Sequence, residues 1–121
     1  MRSKTLLNRA LHLKNKKDLE GALLVLDQVI ESDPTCATAH GLRGGILAFE
    51  LNRWKEAITS FEKAARLSPR SEMASLGLFH SLWDARRRKA AIAEMERFQK
   101  VAHSADYDEI AAELREKGIA V

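Results

Sequence analysis

Cys36 and His40 are the two residues of this sequence best placed to do chemistry. They lie four residues apart, about one helical turn, so a thiol and an imidazole would share one face. They also fall at the start of an expected helix, where the dipole favours a thiolate. A nucleophile and a base still need a third group to orient the base, and a zinc site needs further ligands. His12, His40, His80 and His103 are dispersed along the chain, and none has a second histidine at helical spacing. No glycine-rich phosphate loop, paired metal ligands or nucleophile motif is present. The residues therefore read as ordinary core or surface groups, with no cofactor and no metal expected. A Cys/His-dependent enzyme remains only as an alternative of another class.

Charge gives equally little chemistry. Arg86-Arg87-Arg88-Lys89 is the densest basic run, and such a run can meet phosphate or an acidic partner. It lacks interleaved aromatics of the kind that stack on bases, so it reads as a solvated turn and nucleic-acid binding is disfavoured. The net charge of +3 requires no polyanionic partner. Cys36 is the single cysteine, which excludes an intramolecular disulfide and fits a reducing, cytoplasmic setting. No apolar run approaches the roughly 20 residues that cross a bilayer, so no membrane association is expected. The stretch from Met1 to Lys17 carries Arg2, Lys4, Arg9, Lys14, Lys16 and Lys17 without an acid, as an organelle presequence does. The same stretch supplies Leu6, Ala10 and Leu13, the face that a first helical hairpin must bury, and that reading is preferred.

The elements that would hold these residues follow from a repeat. Leu19, Ala22, Leu23, Leu26, Val29 and Asp33-Pro34 recur as Trp54, Ala57, Ile58, Phe61, Ala64 and Ser68-Pro69. Ala22 and Ala57 are 35 apart, as are Pro34 and Pro69; Ala57 and Ala91 are 34 apart, with Met95 and Phe98 following. A period of this length means stacked helical hairpins. Low aromatic content, 6%, and the lack of β-branched runs agree with helix over sheet. Seven helices are predicted, at about 3–16, 19–32, 36–51, 54–67, 70–85, 88–101 and 105–117. Pro34 and Pro69 stop helices. Asp18, Thr35, Ser71 and Ser104 are placed as N-caps, and Gly118 as the final stop. The last helix, with Tyr107, Ile110, Ala111 and Leu114 on one side and charges on the other, has the form of a cover for the end of a stack.

These residues resemble the tetratricopeptide repeat family. The first copy gives Leu6, Ala10, Leu13, Leu19, Ala22, Leu26, Val29 and Pro34; the second gives Gly41, Gly44-Gly45, Ala48, Trp54, Ala57, Phe61, Ala64 and Pro69. The third gives Ser75, Leu78-Phe79, Leu82, Arg88, Ala91, Met95 and Phe98, without a proline. Two departures stand out. The turn slot where the family often has Gly holds Lys17, Asn52 and Arg86, and the second copy has one extra residue between Pro34 and Ala57. The resemblance implies that the first helix of each hairpin lines a concave groove. Its groove-facing slots include Leu7, Asn8 and Leu11 in the first copy, Leu42, Arg43, Ile46 and Phe49 in the second, and Leu76, His80 and Trp83 in the third. Trp54, by contrast, takes a core slot between helices. Some family members grip chaperone C-terminal carboxylates with a Lys/Asn/Arg clamp. The corresponding slots here hold Leu7, Leu11, Arg43, Met73 and Gly77, so chaperone-tail binding is not expected.

Gly41, Gly44 and Gly45 fall in one predicted helix, at about 1 kcal/mol each relative to Ala. Close packing against the second helix is the expected compensation. The reading is thus an all-α solenoid of three antiparallel hairpin repeats (about 3–36, 37–70 and 71–103) plus a capping helix (about 105–118), one domain over 1–121. The expected function is a non-catalytic module that binds a protein or peptide segment in its groove. Leu42, Ile46, Phe49, Leu76 and Trp83 would bury an apolar anchor, with Arg43, Asn8 and His80 orienting the ligand. An alternative is a small dimeric chaperone that shields a bacterial secretion substrate, which makes a homodimer possible.

Overall fold

The computed structural model describes residues 2–121, with side chains from residue 3 onward; Met1 and the Arg2 side chain, part of the basic stretch above, lie outside the described residues. The helices are α1 (Arg2–Asn15), α2 (Leu19–Ser32), α3 (Ala37–Gly45), α4 (Trp54–Leu67), α5 (Glu72–Asp84), α6 (Arg88–Val101) and α7 (Ala105–Glu116). Between α3 and α4 lies a π-helical turn, Ile46–Glu50, that continues α3 without a break. The chain is all-α, three antiparallel hairpins in succession followed by α7. α1 packs on α2, α3 on α4 and α5 on α6, while α4 also packs on α5 and α3 touches α5 directly.

Local chemistry sets the ends. The Asp18 carboxylate accepts from the Gly21 amide at 3.0 Å. The Ser71 and Ser104 hydroxyls accept from Ala74 and Tyr107 amides at 3.2 and 3.1 Å. Each satisfies one of the orphan donors of a helix start. Thr35 does not cap α3: Cys36 takes the N-cap position without a side-chain bond, and Thr35 Oγ1 instead donates to Asp33 Oδ1 at 3.0 Å. The tight hairpin turns are left-handed at Lys17, Asn52 and Arg86, with φ of 67°, 56° and 64°. Asn adopts this conformation readily; Lys and Arg carry a Cβ penalty of about 1 kcal/mol there.

The extra residue of the second repeat has a definite location. In the first and third hairpins the amide after the left-handed residue reaches five residues back, Asp18 to Leu13 and Arg87 to Leu82. In the second, Arg53 reaches six back, to Leu47. The Leu51 amide bonds the Ile46 carbonyl at 3.1 Å, an i to i+5 pairing. The helix thus absorbs the insertion as a π-bulge and keeps its hydrogen bonds.

The core is built from small residues beside large ones. Ala22, Leu26 and Val29, then Ala57, Phe61 and Ala64, then Ala91, Met95 and Phe98 are all buried. Alanines let backbones approach while the larger side chains fill the gaps. The glycines contribute too, though toward other neighbours than expected. A Cβ on Gly44 of α3 would meet the Phe61 ring of α4 at 3.0 Å, and one on Gly77 of α5 would meet it at 2.3 Å. The contact is with α4, not with α2. Gly45 differs: nothing lies within 4 Å of its Cβ position.

α7 covers the last hairpin. The buried Tyr107 hydroxyl lies 2.7 Å from Ser75 Oγ, which donates to Glu94 Oε2 at 2.6 Å. Arg97 holds both Glu94 oxygens, at 2.8 and 2.7 Å, and reaches the Pro69 carbonyl at 3.0 Å. This network ties α5, α6 and α7 together. A buried charge that is paired and fully hydrogen-bonded avoids most of its desolvation cost.

Candidate functional site

A cleft of about 410 Å³ opens between α1, α3 with its π-turn, and α5. That volume admits an aromatic or branched aliphatic side chain. Its walls are Leu42, Ile46, Phe49, Met73 and Leu76, with Gly41, Gly45 and Gly77 closer to the backbone and Phe61 behind. Lys14, Glu50 and His80 are its polar members. Phe49 is 55% exposed and Met73 56%, so two large apolar side chains stand at the cleft in contact with water.

The site exists because of how α3 is built. Gly45 and Ile46 stand where α3 passes into the π-turn, and Phe49 and Glu50 belong to that turn. The Phe49 ring is held edge-on to Trp54 at 6.0 Å and tilted to Phe61 at 6.3 Å. Gly45 has no side chain and no neighbour at its Cβ position, which leaves the wall of the cleft open where any other residue would project.

Of the residues expected in the groove, Leu42, Ile46, Phe49, Leu76 and His80 come together here. The others do not. Leu7 is half-buried and packs on the core, while Asn8 and Leu11 are exposed along α1 outside the cleft lining. Arg43 is used as a strut: its Nε donates to Asp27 Oδ1 of α2 at 3.0 Å and its Nη1 to Ser60 Oγ of α4 at 2.8 Å. Its guanidinium is therefore unavailable for orienting a ligand in the cleft. Trp83 stacks on Phe79 at 5.7 Å with the Arg88 guanidinium 5.0 Å over its ring. It lines a smaller recess of about 160 Å³ between α5 and α7, with Phe79, His80, Ile110, Glu113, Leu114 and Lys117. His80 lines both recesses, but Trp83 belongs to the lining of the smaller one alone. Sequence reasoning missed Gly41, Gly45 and Phe61 as members of the site. The glycine triplet was the available signal.

Cys36 is half-buried at the N-cap of α3. His40 is buried and its Nε2 lies 3.0 Å from the Pro34 carbonyl, to which it donates. His103 Nε2 lies 2.8 Å from Asp108 Oδ2. Among the described residues no group of three His, Cys, Asp or Glu side chains converges on a metal position. No helix among the described residues is long and apolar enough to cross a membrane.

Comparison with known proteins places this architecture. The tetratricopeptide repeat profile matches residues 7–72, more than half of the chain. The chain belongs to the tetratricopeptide repeat family. The family is an interaction fold, generally without catalysis. Among solved structures, the repeat protein is similar to the first tetratricopeptide domain of Spaghetti (RPAP3), solved bound to the HSP90 peptide SRMEEVD. The TM-score is 0.81 at 12% identity, covering 95% of this chain and 94% of that one. It is also similar to a MamA RS-1 double mutant, with a TM-score of 0.73 at 24% identity over 83% of this chain. A MamA R50E mutant gives 0.72 at 21% over 85%. This chain spans 56% of the length of the first MamA structure. At these identities the likeness is one of fold. A comparison with curated proteins finds no match.

Proposed function

We propose that this repeat protein binds a peptide-like segment of a partner protein in the cleft between α1, α3 and α5, without catalysis. The observation that carries the reading is the exposure of Phe49 and Met73 beside Leu42, Ile46 and Leu76 in one concave, apolar site. Large apolar side chains held in water over a concavity are a mark of recognition surfaces. Burying one Leu or Phe side chain of a ligand there would contribute about 1.5 to 3 kcal/mol, or roughly ten- to a hundredfold in affinity. The RPAP3 domain carries a peptide on the same fold, which supports the reading at the level of architecture. Arg43 is engaged with Asp27 and Ser60, so the mode argued here is apolar anchoring and not carboxylate capture. The single, half-buried Cys36 fits a reducing compartment such as the cytoplasm.

Gly45 supplies the test. A Leu at this position meets no atom at its Cβ and projects into the cleft, so Gly45→Leu fills the site while keeping the helix. The intact chain and Gly45→Leu, both immobilised, should be compared for partners from native lysate, and each captured protein should be mapped to the segment that binds. The expected result is a segment retained by the intact chain and lost with Gly45→Leu and with Phe49→Asp. A segment that binds all three chains equally would place recognition elsewhere.

A further inference from the structure

The charges around the cleft narrow the kind of segment it would take. Glu50 is the acid in the lining, and its Oε2 lies 3.7 Å from Lys17 Nζ, which offsets its charge. Lys14 lines the same cleft and makes no side-chain ion pair or hydrogen bond among the described residues. Lys14 sits on a helix without acids: α1 and its turn carry Lys4, Arg9, Lys14, Lys16 and Lys17 before the first acid, Asp18. Lys4, Leu7, Leu11 and Lys14 follow one another at helical spacing and so form one face of α1. α1 contributes Lys14 alone to the lining, so the cleft has one cation on its α1 side and an apolar floor. A like-charged ligand would be repelled there, while an acidic one would be drawn in.

We propose that the cleft takes an internal segment with one bulky apolar residue, flanked by Asp or Glu on the side that faces α1. The proposal rests on the peptide-binding reading above and adds the chemistry of the partner. The apolar residue enters beside Gly45 and lies against Ile46, Phe49 and Leu76. The neighbouring acid meets Lys14, the cation of the lining. An internal segment is favoured over a chain terminus because a terminal carboxylate calls for several convergent donors. Arg43, the other cation expected in the groove, is tied to Asp27 and Ser60.

The experiment is selection of short random peptides, displayed as internal segments, on the full chain and on its Lys14→Glu, Lys14→Gln and Gly45→Leu variants. Helicity and melting of each variant are checked by circular dichroism. Peptides enriched on the intact chain should share an apolar residue next to Asp or Glu. The best of them, synthesised with an amidated end, should bind on the order of tenfold more weakly to Lys14→Glu, and less weakly to Lys14→Gln. Affinity for the intact chain should fall as salt rises. Selection on Lys14→Glu should shift toward Lys or Arg. Enrichment without an acidic bias, or a bias unchanged by Lys14→Glu, overturns the charge proposal and leaves the cleft reading standing. Enrichment that survives Gly45→Leu, or no enrichment over that variant, overturns the cleft reading itself.

Discussion

Four glycines in the two inner helices should respond to alanine in a graded series set by what each new methyl group meets. Replacing Gly by Ala in a helix interior stabilises by about 1 kcal/mol when nothing interferes. Gly45 has helical angles, φ −61° and ψ −43°, and no atom within 4 Å of its Cβ position. Gly45→Ala should therefore realise nearly the full gain, a rise in melting temperature of about 4 °C for a chain of this size. Gly41→Ala meets the Met73 methyl at 3.0 Å, the free end of a flexible and exposed side chain, and should retain part of the gain. Gly44→Ala meets three atoms of the Phe61 ring at 3.0 Å. That ring is 2% exposed, so its displacement roughly cancels the gain. Gly77→Ala places a methyl 2.3 Å from the same ring. Overpacking of a fixed core side chain costs about 1 to 3 kcal/mol, for a net loss of up to about 2 kcal/mol once the helix gain is subtracted. Urea and thermal unfolding followed by far-ultraviolet circular dichroism would rank the four. A Gly45→Ala chain no more stable than the parent, or a Gly77→Ala chain as stable as Gly45→Ala, would refute the packing argument.

Further outcomes follow from single contacts. Arg86→Gly relieves a left-handed arginine at φ 64° and should gain up to about 1 kcal/mol in urea unfolding. Ser104→Ala removes the cap on the Tyr107 amide and should lose about 1 kcal/mol, while Thr35→Ala, which removes no cap, should lose less. Arg43→Met should lower stability, because Asp27 and the buried Ser60 lose their partner, yet leave peptide affinity unchanged; a loss of affinity at full stability would return Arg43 to the site. Burial pushes the Tyr107 phenol above its ordinary value of 10.0. The native state then keeps a proton that the unfolded state releases, so this stabilisation is complete below about pH 10 and declines as pH rises further. Tyr107→Phe should flatten that alkaline decline in a series of urea midpoints.

The sequence by itself determined the all-helical stack. Alanines recurring at 34 and 35 residues, Pro34 and Pro69, and the caps Asp18, Ser71 and Ser104 are local signals, and each acts within one turn of where it is written. The left-handed turns at Lys17, Asn52 and Arg86 fall in the slot where the family resemblance implies a tight turn; Lys and Arg carry no such signal of their own. Of the residues placed on the groove face by that resemblance, Leu42, Ile46, Phe49, Leu76 and His80 line one cleft. What only the tertiary structure decided concerns direction. The spacing announced an extra residue, but only the bond pattern around Leu47, Leu51 and Arg53 located the π-turn that holds Phe49. Helical spacing put Arg43 and Trp83 on a face, whereas what each meets comes from other helices: Asp27 of α2 and Ser60 of α4 for Arg43, and the α7 residues Ile110 and Leu114 that share a recess with Trp83. The glycine cluster likewise could not reveal that Gly44 makes room for Phe61 while Gly45 makes room for nothing in this chain. Periodicity fixes which side of a helix is apolar; what that side touches depends on how the hairpins are stacked.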